Sequence, residues 1–211
     1  MLRQDFFSLL HQYTQNAQTV ERLWDQVDTA YAAEDRYFHN ASHLIQMHLA
    51  LKEVQAQIDD WNTLLLAVFY HDIVYDVVQY VIENDNEDRS AEEAEKALQT
   101  INYPAAKIER CKAHILATKQ HQPSADGDTN FLIDADLLVL GQPWEAYKTY
   151  MEAIRKEYAV YPDSIYYAGR THVLKAFLRT ERLFKTEHFF RLYEEAARDN
   201  MERELEIISL S

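Results

Sequence analysis

Several nitrogen and oxygen donors of this chain stand where apolar residues would be expected. His39 and His43 lie four residues apart in RYFHNASHLIQMHL. His71 and Asp72 end the apolar run LLLAVFYHD, and Asp134 and Asp136 interrupt a second apolar segment, NFLIDADLLVLG. Burying an unpaired carboxylate costs several kcal/mol or more, so such groups are normally paired or given a metal. Two His and two Asp from three separate segments make a mixed nitrogen–oxygen set that suits Mn, Fe, Co, Ni, Zn or Mg. A closed structural zinc site would instead show four closely spaced Cys or His ligands, and the chain has one cysteine, Cys111. The implied site is therefore open, of the catalytic type, with room for water. Each residue alone has an ordinary reading. A His pair at i, i+4 is more often structural than not, a His-Asp dipeptide is common, and Asp134 or Asp136 could cap a helix. Their conjunction and order shift the balance.

The elements that must position these groups read as helices. Leu44, Met47, His48, Leu51, Val54 and Ile58 recur every three or four residues, as do Phe190, Tyr193, Ala197, Met201, Leu205 and Ile208. Only three glycines and four prolines break the chain, which favours long uninterrupted elements. Ser90 and Glu93 resemble a capping box before AEEAEKAL. Pro104 suits the first turn of a helix over about 104–119, and Pro162 that of a helix over about 162–182. Gly141 and Pro143 mark one helix ending and the next beginning. The apolar segment 61–71 reads as a buried central helix, and 80–88 and 120–129 read as loops. No convincing strand is present. The expected fold class is all-α, one compact domain over 1–211 of eight to ten helices, with the metal-site core at about 36–140 and C-terminal helices over 143–209.

Bulk composition narrows the function classes. With 47% hydrophobic residues the chain can build a core. A net charge of −14 excludes a protein that grips nucleic acid through many cations. No stretch reaches 18 apolar residues, the N-terminus lacks a signal-peptide pattern, and one cysteine fits a reducing compartment. These features lead us to expect a soluble cytoplasmic protein. The amphipathic segment 184–208 is expected to pack on its own domain, with a homodimer as the alternative.

The blocks YFHNASHL, FYHDIVYD, DNEDRSAEEA and DADLLVLG together give the ordered pattern H…HD…D. This resembles the HD superfamily of metal-dependent phosphohydrolases, and most of all a bacterial group of predicted metal-dependent HD phosphohydrolases. FHNASHL is also similar to the YHNxxH block of class I cyclic-nucleotide phosphodiesterases, with Phe38 in the place of the Tyr. The resemblance implies a single HD-type helical bundle in which His43, His71, Asp72 and Asp136 hold a divalent metal, Asp134 being the rival for the last position. It implies that His39 protonates the leaving oxygen and that Asp72 also takes a catalytic part, orienting the attacking water. His121 matches a further His that serves a second metal or the substrate, with His114 a weaker candidate. Arg36, Arg89 and Lys119 lie near the motif blocks and are candidates for phosphate contact. Glu87 and Asp88 could reach the site through water. The implied activity is hydrolysis of a phosphoester in a nucleotide or another small phosphorylated metabolite by metal-activated water. The alternatives are a cyclic-nucleotide phosphodiesterase and a non-catalytic metal- or nucleotide-binding module.

Overall fold

In the computed structural model, residues 1–78 and 85–210 are described. Among them are ten α-helices and two 3-10 turns, with no strand. The helices are α1 (Leu2–Leu10), α2 (Ala17–Tyr31), α3 (Ala41–Glu53), α4 (Trp61–Tyr70), α5 (Asn86–Thr100), α6 (Ala105–Ala117), α7 (Gly127–Asp136), α8 (Trp144–Glu157), α9 (Asp163–Leu178) and α10 (Glu187–Ser209).

Helix α4 is the centre. Every residue from Thr63 to Tyr70 is buried, as expected of a helix apolar on all sides. Helices α3, α5, α6 and α7 pack around it. Helix α1 closes one end, where Phe6 meets Phe69 edge-on with ring centroids 4.9 Å apart. Asp60 starts α4 by accepting hydrogen bonds from the backbone N–H and hydroxyl of Thr63. One hydrophobic core runs from Leu2 to Met201.

The C-terminal helix packs on its own domain. The 3-10 turn Leu137–Gly141 lies against α10, and Gly141 is needed there: a Cβ at that position would sit 2.5 Å from Cβ of Tyr193. Asn200 donates from Nδ2 to the carbonyls of Leu140 and Gln142, both at 2.8 Å.

Local signals in the sequence are mostly matched within a few residues. Pro104, Pro143 and Pro162 each stand immediately before a helix. Two expectations need correction. Ser90 is not an N-cap, because α5 begins four residues earlier at Asn86. Glu87 and Asp88 suit that first turn, where the helix dipole favours acidic groups, and Ser90 Oγ instead bonds the backbone of Val74. The loop expected over 80–88 is therefore shorter at its end; 80–84 lie outside the described residues. Similarly, 127–129 of the expected loop 120–129 already belong to α7.

Helix α7, which carries Asp136, is anchored at its start by charge. Asp126 is its N-cap and accepts two hydrogen bonds from Arg110, at 2.7 and 2.8 Å. The Arg110 hydrogen bond pulls the Asp126 carboxyl down from 3.8 to about 2. A carboxyl depressed by folding contributes stability above its unfolded pKa, and that contribution is lost as pH falls through the folded value. Because 33% of the Asp126 side chain is exposed, screening holds the contribution to about 1 kcal/mol. Asn caps as well as Asp, so Asp126→Asn isolates the charge. We expect the variant to be about 1 kcal/mol less stable than the parent above pH 5, with the gap closing between pH 4 and pH 2; urea unfolding across that range checks it.

Candidate functional site

The end of α4 delivers the central pair. His71 is its C-cap, and Nδ1 lies 2.9 Å from the Val68 carbonyl. That contact places a proton on Nδ1 and turns Nε2 inward with its lone pair available. The chain beyond is clamped. The Asp72 N–H donates to the Tyr31 hydroxyl. Arg36 donates to the carbonyls of Asp72, at 2.7 Å, and Ile73, at 3.1 Å.

Two further helices bring their residues to this point. Asn40 caps α3 through the N–H of Ser42, which sets His43 in the first turn, buried. Asp136 is the last residue of α7. Its Oδ1 lies 3.1 Å from His43 Nε2 and 3.6 Å from His71 Nε2, and its Oδ2 lies 2.9 Å from His121 Nε2. Asp72 Oδ2 is 3.2 Å from His71 Nε2.

His43, His71 and Asp72 each offer a ligand atom within 4.8 Å of the other two, a group that could hold a metal ion. Two ligands about 2.1 Å from a shared ion stand roughly 3.0–3.4 Å apart at octahedral to tetrahedral angles, close to the His71–Asp72 and His43–Asp136 separations. The buried Nε2 of His71 has no aligned hydrogen-bond partner, although carboxylate oxygens lie near. A buried, inward ring nitrogen without a hydrogen-bond partner, beside two carboxylates, is what a cation would complete. The residues present fit a divalent metal.

Charge in the cluster is tightly linked. Burial opposes ionisation of Asp72, yet His71 foremost, then His39, hold its carboxyl well below the usual range. Burial likewise opposes ionisation of Asp136, and hydrogen bonds from His121 and His43, with the charge of His71 near by, outweigh it. Burial pushes His43 down. It acts the same way on His71, but there Asp72 dominates and the group rises.

His39 precedes the Asn40 cap and is not on the helix, contrary to the shared-face arrangement that its spacing to His43 suggests. It reaches the cluster from the preceding turn, its Nε2 4.0 Å from Asp72 Oδ2. Its other nitrogen, Nδ1, lies 2.7 Å from Oε2 of Glu157. Glu157 ends α8, where the helix dipole disfavours a carboxylate. Four donors offset this: the N–H groups of Phe38 and His39, the His39 ring and the Tyr75 hydroxyl. Burial lowers the His39 pKa, but the Glu157 hydrogen bond and the charges of Asp72, Glu157 and Asp136 raise it overall.

Sequence reasoning missed Glu157 and Tyr75. The available signal was an acidic residue at a helix C-terminus, followed by the aromatic segment YAVY. The other expected residues divide clearly. Glu87 and His121 line the same cavity as Asp72 and Asp136. His121 adopts φ +51°, an uncommon left-handed conformation, and aims its ring at Asp136. Arg36, Arg89 and Lys119 stand outside the lining; Lys119 pairs with Asp88 at 2.6 Å. Asp134, fully buried, turns away and accepts from the N–H groups of Lys185 and Thr186 and from the Thr186 hydroxyl. His114 bonds Thr129 beside α7, away from the cluster.

The cluster opens into a cavity of about 460 Å³, half of whose lining residues come from α8, α9 and the Leu137–Gly141 turn. No helix among the described residues is long and apolar enough to cross a membrane. Comparison with protein-family models, with curated proteins and with solved structures finds no match to this chain.

Glu157 should govern the basicity of His39. In Glu157→Gln the charge is lost while the shape is kept, so the His39 pKa is expected to fall. An NMR titration of the His39 ring reads this directly, and an unchanged midpoint would contradict the assignment. Removing one charged partner from a buried set costs about 1–3 kcal/mol, which thermal unfolding measures.

Proposed function

We propose that this chain is an HD-type metal-dependent phosphohydrolase acting on a small phosphorylated metabolite, a nucleotide being the favoured class. One observation carries the reading: His43, His71, Asp72 and Asp136, drawn from three separate segments, converge beside a His39–Glu157 pair at the wall of a ligand-sized cavity. The H…HD…D order supports the same reading.

His43, His71, Asp72 and Asp136 would hold the ion. A divalent metal there would lower the pKa of water and withdraw charge from phosphoryl oxygens. The chain's own residues do the rest. Asp72 accepts a hydrogen bond from the attacking water, orients it towards phosphorus and takes up the proton that the water loses as it attacks. As the new P–O bond forms, the ester P–O bond breaks and its electron pair goes to the departing oxygen. His39 supplies the proton to that oxygen from Nε2. Glu157, on Nδ1, keeps the imidazole protonated beforehand and fixes its plane.

The decisive test combines metal analysis with activity. The purified protein should contain near-stoichiometric transition metal, or take it up from Mn or Ni, and His71→Ala/Asp72→Ala should not. Turnover should appear in a panel of phosphomonoesters and cyclic nucleotides only with metal. Little metal in both proteins would overturn the reading. His39→Ala should keep its metal and lose about 10²–10⁴-fold in kcat on alkyl esters. The loss should be much smaller on p-nitrophenyl phosphate, whose leaving group needs no proton. Equal losses on both would remove the general-acid role and favour a binding module.

A further inference from the structure

The cavity beside the cluster has a chemical character of its own. One end carries His39, Asp72, His121 and Asp136. The walls leading away combine rings, Phe38, Tyr75, Tyr150, Tyr158, Tyr166 and Phe177 among them, with aliphatic side chains. At about 460 Å³ it lies within the range of cavities that enclose small organic ligands, roughly 300–1,000 Å³.

The charges of the lining are lopsided. Asp72, Glu87 and Asp136 are carboxylates, while Arg170 is the only lysine or arginine among the described lining residues. Arg170 is already committed. It donates to both Glu204 oxygens, at 2.7 and 2.9 Å, and to the Tyr150 hydroxyl at 3.1 Å. Glu204 is buried and also accepts from Tyr147, so freeing Arg170 would strand a buried carboxylate.

Resting on the phosphohydrolase reading, we infer that this cavity seats the alcohol half of a phosphomonoester, and that this half is flat and uncharged, a nucleoside or an aryl group. Its ring stacks on the aromatic wall while the single phosphate meets the cluster. A second phosphate would meet a wall with no free cation to receive it and three carboxylates near by. A glycerol or simple sugar half brings no flat ring for this wall to stack on.

The experiment uses the Mn-loaded full-length protein at fixed free Mn. Phosphate release is compared for UMP, phenyl phosphate, UDP and glycerol 3-phosphate. Calorimetry compares phenylphosphonate with methylphosphonate and methylenediphosphonate. UMP or phenyl phosphate should exceed UDP and glycerol 3-phosphate at least tenfold in kcat/KM, and their ratio to each other separates nucleoside from simple aryl recognition. Phenylphosphonate should bind at least tenfold more tightly than the other two. Val173 lines the cavity and is 43% exposed; Val173→Lys supplies the missing cation without disturbing the core, and should narrow the UMP/UDP ratio at least threefold. Equal turnover of UDP or glycerol 3-phosphate, or an unmoved ratio in the variant, overturns the inference and leaves the hydrolase intact. Tight phenylphosphonate binding without turnover of any ester overturns the hydrolase and leaves the pocket assignment standing. No phosphonate preference and no turnover overturns both.

Discussion

The site depends on largely enclosing two carboxylates, Asp72 and Asp136, among four imidazoles. In water either carboxylate would be solvated; here each oxygen must find a positive or donating neighbour. Asp136 sits between His43 and His71 on one side and His121 on the other. Asp72 sits between His71 and His39. Arg36, the guanidinium nearest in the chain to the first motif, is spent on backbone carbonyls and fixes the turn in space. Compensation inside the cluster is therefore left to imidazole and to whatever cation the group admits.

That constraint explains the surrounding architecture. A cluster whose useful separations are about 3 Å tolerates little movement. Helix α4 is buried on all sides, so its end cannot shift without opening the core. Tyr31, Arg36 and Ser90 pin the three residues after His71. The C-terminal helices add what the cluster lacks. Helix α8 brings Glu157 to His39, and α8 and α9 together wall the cavity. The Gly141 contact with α10 and the Asn200 hydrogen bonds hold this second layer against the first.

Asp134 and Asp136 illustrate how a helix divides labour. Residues two apart point roughly 200° apart around the axis. One therefore faces the histidines while the other faces the start of α10, where it takes three hydrogen bonds. Asp134 is fully buried and Asp136 partly so, and both are satisfied, but only Asp136 is surrounded by imidazoles.

Much was legible from the chain alone. Apolar period and the scarcity of glycine and proline determined an all-α fold, because side-chain burial on a helix repeats every three to four residues. The all-apolar run before His71 marked a central helix, and the isolated His and Asp residues marked where buried polarity needed a reason. Local spacing could not decide more. It left open whether the His43 helix had begun by His39, whereas Asn40 intervenes as the cap. It offered Ser90 as a cap, whereas the helix starts at Asn86. It could not separate Asp134 from Asp136, since which face of α7 meets α3 and α4 is a packing outcome. Glu157 lies 118 residues from His39, and nothing in RKEYAVYP by itself ties it to a histidine. That pairing, the commitment of Arg36 and Arg170, and the aromatic wall were decided only when the helices packed, because they arise from contacts between distant segments and carry no local period.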